Sequence, residues 1–281
     1  MVLGAVERYV VRLFETLMDG WVLSNIMGLG EGKLSTTATS LAILDHIMDE
    51  NGATLRGLVD ETGLAKSTVH KHLSTLRENG YLVKFGETYK LSLHTLSQGR
   101  QAIKMRPHFS TVEQRVRELA NQTNTEVDFT VEENGRLIIV FESVGSSNGV
   151  NFRSGAEFHM HNAAAGKAIL AEYPDERVDE ILDTWGMPKK TPNTTHSREE
   201  LESELAEIKK NGYAISDGEP VEGYRSVSSP IMNEDGTVLG AISAGGPTYR
   251  VEYSRLSGEL AEKVAATAQS LSDDIAKTTI E

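Results

Sequence analysis

The stretch Thr54–Leu91, TLRGLVDETGLAKSTVHKHLSTLRENGYLVKFGETYKL, constrains this chain more than any other. Leu55, Leu58 and Val59 fall on one helical face, and Thr54 stands where a side-chain oxygen can cap the helix start. Thr62-Gly63 ends that first helix, because glycine takes the left-handed conformation at little cost. From Lys66 to Asn79 the apolar residues Val69, Leu73 and Leu76 recur at i, i+4 and i+7, which predicts a second helix. Its remaining positions, Ser67, Thr68, His70, Lys71, Ser74 and Arg77, lie off the buried face. Asn79-Gly80 closes this helix, and Tyr81–Lys84 and Thr88–Ser92 read as strands around Phe85-Gly86-Glu87. Two helices, a tight turn anchored by Leu64 and a hairpin make a winged helix-turn-helix.

Such a motif places its second helix in the major groove, where short polar and basic side chains reach base edges and phosphates. The candidate DNA contacts are Thr54, Lys66, Ser67, Thr68, His70, Lys71, Ser74 and Arg77, with Lys84 and Lys90 on the wing gripping the backbone. A different reading stays open, in which these polar residues only solvate a helix that binds a protein partner. Charge decides part of this question. The formal net charge of -13 opposes association with phosphate. Its distribution matters more: residues 33–90 carry seven basic and seven acidic side chains, whereas residues 91–281 carry 19 against 30. Within Leu64–Lys90 five bases face two acids, so the expected reader is locally positive. Acidic surface elsewhere and the lack of cysteine fit adaptation to high salt, where electrostatic binding weakens.

At 281 residues and 39% hydrophobic content, one small domain and one larger domain are expected, in an α+β fold. The boundaries read as an N-terminal extension at 1–34, the winged helix-turn-helix at 35–92, a linker helix at 93–109 and a larger domain at 110–281. No run of about 18 uncharged apolar residues predicts a membrane span, and no secretory leader is recognisable. Absence of cysteine excludes disulfides and thiolate chemistry, and cytoplasm is the simplest compartment.

Val6, Tyr9, Val10, Leu13, Phe14, Leu17 and Trp21 give residues 1–32 an amphipathic helical pattern. That segment reads equally as a dimer cover, a membrane-interface helix or an extension from an upstream start, with Met27 a later candidate; no function is assigned to it. After Gly28–Gly32, the residues Leu41, Leu44, Ile47 and Met48 predict one apolar helical face, with Ser35, Thr36 and Thr37 available to cap it.

In the larger domain, helices are predicted near Val112–Gln122, Ala163–Glu172, Asp175–Trp185, Ser197–Asn211 and Glu259–Ile275, the fourth opened by a Ser197 to Glu200 capping box. Predicted strands are Glu126–Glu132, Arg136–Ser143, Tyr213–Ser216, Arg225–Met232 and Thr237–Gly245, in a mixed, mainly antiparallel sheet. Ser146–Glu157 reads as a loop broken by a short strand.

Three blocks, GLAKSTVHKHLSTLRENGYLVK, HNAAAGKAILA and GYAISDGEPVEGYRSVSSPIMNEDGTVLGAISAGGP, resemble the IclR family of bacterial and archaeal transcription regulators, haloarchaeal-like, over about residues 35–275. The resemblance implies a ligand-responsive transcriptional regulator of a catabolic or metabolic operon. It also implies a C-terminal GAF-like α/β effector-binding domain, a homodimer or dimer of dimers, and double-stranded DNA with a pseudo-palindromic operator as partner. It places a small-molecule effector near Ala165, Gly166, Ser216, Asp217, Ser226, Ser228, Ser243 and Gly245. The residues agree physically: small side chains admit close backbone approach, a helix start offers N–H groups, and serine hydroxyls orient a ligand. Equally, Ala163–Gly166 let a helix lie close to a sheet while the serines satisfy backbone groups. Ser216 and Ser226 stand where the family often carries an acid and a cysteine, so effector identity does not transfer. Ala65 stands where a capping Ser or Thr is common; either Ser67 caps or the helix starts less firmly.

Rival chemistry is thin. His159 and His161 place two imidazoles on one side of an extended segment, without an evident third ligand, so no metal is expected. Asp217 and Glu219 resemble an acid pair, but no nucleophile or oxyanion arrangement accompanies them, and they read as solvated turn residues. No enzyme activity and no cofactor are expected.

Overall fold

The computed structural model describes residues 34–145 and 153–278. The expectations for residues 1–32, and for 146–152 of the loop, lie outside the described residues. The chain divides between Met105 and Arg106 into two compact units.

In the first unit, α1 (Ser35–Asp49) buries Ala42, Ile43 and Ile47. Leu41 and Met48, expected on that face, are instead 55% and 50% exposed. Two apolar stripes overlap on this helix; the one with Ile43 and Ile47 turns into the core, and Ser40 Oγ bonds His72 Nδ1 at 2.7 Å beside it. The helix starts at Leu34 with no side-chain cap, so Ser35, Thr36 and Thr37 do not serve as one. Thr54 does cap α2 (Leu55–Thr62), accepting from the Gly57 N–H at 3.1 Å. Gly63 follows at φ 65°, the left-handed geometry that ends the helix. Helix α3 (Lys66–Glu78) packs Val69, Leu73 and Leu76 into one core with Ile43, Ile47 and Leu58, and also buries His72. Strands β1 (Ala53–Thr54), β2 (Leu82–Phe85) and β3 (Thr88–Leu91) form a sheet in the order β1-β3-β2, with Phe85 opposite Thr88 across the wing turn. Helix α4 (His94–Lys104) buries none of its residues.

The second unit is built on a six-stranded sheet: β4 (Glu126–Glu133), β5 (Arg136–Val144), β6 (Glu157–His159), β7 (Ala214–Asp217), β8 (Tyr224–Met232) and β9 (Val238–Pro247), in the order β6-β5-β4-β9-β8-β7. Every pairing is antiparallel, which corrects the mixed sheet expected from the sequence. The helices between β6 and β7 join opposite edges of the sheet rather than neighbouring strands, so no parallel crossover arises.

One face of the sheet carries α5 (Phe109–Thr123) and, after a short turn at Tyr253–Arg255 and a π segment at Leu256–Leu260, the long helix α10 (Ala261–Thr278). Phe109 of α5 meets Phe129 and Phe141 of the sheet edge to face while those two stack on each other, with ring centroids 5.2 to 6.2 Å apart. Leu260, Val264, Ala268, Leu271 and Ile275 are buried along the C-terminal helix as their spacing predicts. The opposite face carries α6 (Ala164–Leu170), all seven of whose residues are buried. A Cβ on Gly166 would lie 2.2 Å from the Met160 carbonyl oxygen, so only glycine lets this helix sit so low. Helices α7 (Asp175–Trp185) and α8 (Arg198–Asn211) follow; Ser197 caps α8 by accepting from the Glu200 N–H. Among the described residues, no helix is long and apolar enough to cross a membrane.

Candidate functional site

In the first unit the residues singled out from the sequence divide by role. Lys66, Ser67, His70, Lys71 and Arg77 are exposed on α3, and Thr68 and Ser74 are half-buried beside them. The 13 residues of α3 span about 20 Å, ample to lie in a major groove about 12 Å wide. No side chain caps the start of α3 at Ala65, so Ser67 points its hydroxyl elsewhere. Thr54 is partly committed, because its oxygen is the cap of α2. Lys84 is tied within the wing, 3.4 Å from Glu87 and over the Tyr89 ring at 5.3 Å. Lys90 is exposed. The sequence reading missed His72, whose buried ring bonds Ser40 and whose pKa burial lowers. Its phase between Val69 and Leu76 was the available signal.

The second unit contains a small cavity of about 40 Å³, partly open to solvent, between α6 and the sheet. Its polar wall is Asp128, Thr130, Tyr224, Ser226 and Ser243; its apolar wall includes Leu137, Ile139, Phe158, Ala163, Ala164, Ala165 and Pro220. Of the eight positions expected from the sequence, it brings together Ala165, Ser226 and Ser243. The other five are occupied differently. Gly166 packs on Met160. The Ser216 hydroxyl donates to the Asn162 carbonyl at 3.2 Å, and that of Ser228 donates to the Ile242 carbonyl at 3.0 Å. Asp217 pairs with Arg225 at 2.9 Å. Gly245 lines a neighbouring cleft with Asn124, Glu126, Arg250 and Arg255, where a Cβ would meet the Arg225 carbonyl oxygen at 2.4 Å.

The residue missed at the centre is Asp128. Strand register sets it opposite Ser243 on β9 and Glu142 on β5. Burial pushes its carboxyl from the usual 3.8 up to about 7; a hydrogen bond with Ser243 opposes the rise, and repulsion from Glu126 and Glu142 adds to it. Tyr224 donates to Glu126 at 3.3 Å and is held well above the usual phenol range, by burial first and then by the Glu126 and Asp128 carboxylates. Glu126, Asp128 and Thr130 alternate along β4 as a solvent-facing strand edge would, but here α6 covers that face.

Glu219 is buried, which corrects its reading as a solvated turn residue. It receives the buried Lys167 ammonium at 2.6 Å, and Lys167 also donates to Glu204 at 2.8 Å. This ion cluster ties α6, at the cavity wall, to α8 and to the loop that carries Pro220. His159 and His161 meet edge to face with centroids 5.5 Å apart. Burial, aided by the charge of Arg136 at His159 and of Lys167 and then Arg136 at His161, pushes them down to about 3 and about 4, so both stay neutral.

Comparison with known proteins covers both units. A family profile described as "Bacterial transcriptional regulator IclR C-terminal" matches residues 101–273, and one described as "IclR helix-turn-helix domain" matches residues 38–84. The chain is 28% identical to the "Probable HTH-type transcriptional regulator ArcR" of Halobacterium salinarum, over 84% of this chain and 92% of that one. It is 27% identical to the "Transcriptional repressor IclR" of Escherichia coli, over 80% and 85%. Among solved structures, an IclR transcriptional regulator from Alicyclobacillus acidocaldarius superposes with a TM-score of 0.73 at 21% identity, covering 87% of this chain and 98% of that chain. The Thermotoga maritima IclR does so at 0.69 and 20%, covering 87% and 100%.

Proposed function

This chain belongs to the IclR family of transcriptional regulators, and from that premise we propose how its parts divide the task. It is a ligand-responsive DNA-binding regulator of metabolic genes and not an enzyme. Residues 35–92 act as the reader, 93–109 as a linker helix and 110–281 as a GAF-like effector-binding and oligomerisation unit. The observation that supports the reader is the division of α3, with Val69, Leu73 and Leu76 buried while Ser67, His70, Lys71 and Arg77 stand exposed. Ser67, His70 and Lys71 approach bases and phosphates, and Lys90 holds the backbone.

The protein works as a homodimer, or a dimer of dimers, on a pseudo-palindromic operator in the cytoplasm. What supports pairing is α4, none of whose residues is fully buried and which exposes Leu96, flanked by Leu93 and Met105; α1 adds exposed Leu41 and Met48. Effector binding in the cavity beside α6 biases the dimer geometry only if the two DNA-affinity states bind the effector unequally. The acidic balance supports a high-salt setting, in which base contacts carry more of the affinity than charge does.

A genome-wide occupancy map in the native host tests the reading. Sequence-selective peaks with two half-sites about one helical turn, or a multiple of it, apart are expected. Absence of such peaks sinks it in favour of a protein partner for the winged helix.

A further inference from the structure

Resting on the reading of the cavity as the effector site, we infer that the effector carries a protonated amine, whose ammonium group pairs with the Asp128 carboxylate. Among the described residues, Asp128 is the one charged side chain in the cavity wall. The groups facing it from the surrounding strands are Glu126 on its own strand, Glu142 from β5 and the Tyr224 phenol from β8, with Ser243 from β9. None of them is a cation.

The cations on the walling elements are engaged elsewhere. Lys167 of α6 is held by Glu204 and Glu219. Arg225 of β8 is held by Asp217 and the Val251 carbonyl. Arg136 of β5 lies against Glu157 and over the Trp185 ring. An anionic effector would meet the Asp128 carboxylate with no cationic side chain beside it, and the N–H groups at the start of the short helix α6 would only partly offset its desolvation. An ammonium group supplies what the pocket lacks. It has three donors, for which Asp128 and the hydroxyls of Ser243, Thr130 and Ser226 are acceptors. The aliphatic part of the ligand then rests on Leu137, Ile139 and Phe158.

Protonation of Asp128 adds a pH signature. Burial holds its carboxyl up at about 7, so the pairing form is scarce in mild acid and dominant in mild base. An amine that stays protonated throughout therefore binds roughly tenfold more tightly at about pH 8 than at about pH 6.

The test uses three probes of matched shape, n-butylamine, 1-butanol and butyrate, titrated into the full chain and followed by ligand-observed NMR. The amine is expected to bind saturably, about tenfold or more tighter than either partner, and to tighten with rising pH. Asp128→Asn removes both its preference and its pH dependence while 1-butanol binding persists. Equal or tighter binding of butyrate or 1-butanol, a flat pH profile, or no saturable amine binding overturns the inference. The wild-type comparison stands even if the variant fails to fold. Ala164→Leu, which fills the cavity, separates this failure from failure of the site: butyrate binding that Ala164→Leu blocks leaves the cavity reading intact and refutes only the charge. No binding by any probe, unchanged by that substitution, removes both.

Discussion

Replacing Asp128 by asparagine, which keeps the shape of the side chain and removes its titration, should stabilise the protein in base and leave it nearly unchanged in acid. The folded carboxyl titrates at about 7 against an ordinary 3.8. Between those values the native state holds a proton that the unfolded chain has released, so stability falls as pH rises through this window. Above about 7 the penalty is complete. The gap from 3.8 to about 7, at 1.36 kcal/mol per pH unit, corresponds to ~4 kcal/mol as an upper bound. Because the cavity opens to water and Asp128 is only partly screened from it, ~2 kcal/mol is the working figure. Urea denaturation of the Trp21→Phe protein, in which Trp185 alone reports, measures the difference. Asp128→Asn should match its parent within ~1 kcal/mol at about pH 5 and exceed it by ~2 kcal/mol at about pH 8. A difference independent of pH would refute the burial argument.

Other expectations follow from the same geometry. Lys71→Ala and Arg77→Ala should each weaken operator binding and lower the slope of log affinity against log salt by about 1, read by fluorescence anisotropy; unchanged slopes count against these phosphate contacts. Lys167→Met leaves Glu219 and Glu204 without their shared cation and should cost ~3 kcal/mol in thermal or chemical melts. That loss should shrink in mild acid, because burial already raises the Glu219 pKa and lets it take up a proton; a deficit that grows in acid would contradict the assignment. Gly63→Ala should destabilise the first unit by ~1 kcal/mol through its φ of 65° alone, since a Cβ there meets no neighbour. No loss in melts of the DNA-binding unit would show that the turn relaxes.

The expected boundaries of α2 and α3 agree with the structure to within a residue, and their anchors Leu58, Val69, Leu73 and Leu76 are buried. These features are encoded locally: a glycine that ends a helix, a threonine that caps one, and a stripe that repeats every turn. Where two stripes compete, as on α1, the sequence is ambiguous, and packing of Ile43 and Ile47 against Leu58, Val69 and Leu73 is decided only in the folded unit. The cavity was less legible. The small-residue helix and the late strands led to Ala165, Ser226 and Ser243, which line the cavity, and also to Ser216 and Ser228, whose hydroxyls donate to backbone carbonyls, that of Ser228 accepting from Ser243 as well.

By itself, then, the sequence determined the winged helix-turn-helix, the family and the location of positive charge, because each depends on neighbours within a turn or two or on composition. Tertiary structure decided what the second unit presents to a ligand. Glu126, Asp128 and Thr130 alternate as any half-exposed strand would, and nothing in that pattern says that α6 will cover their face. Nor does it say that Asp128 will sit across from Ser243 and Glu142, drawn from strands distant in the chain. Sheet register and the covering of both sheet faces are non-local, and they turn an ordinary strand aspartate into the charged centre of a cavity.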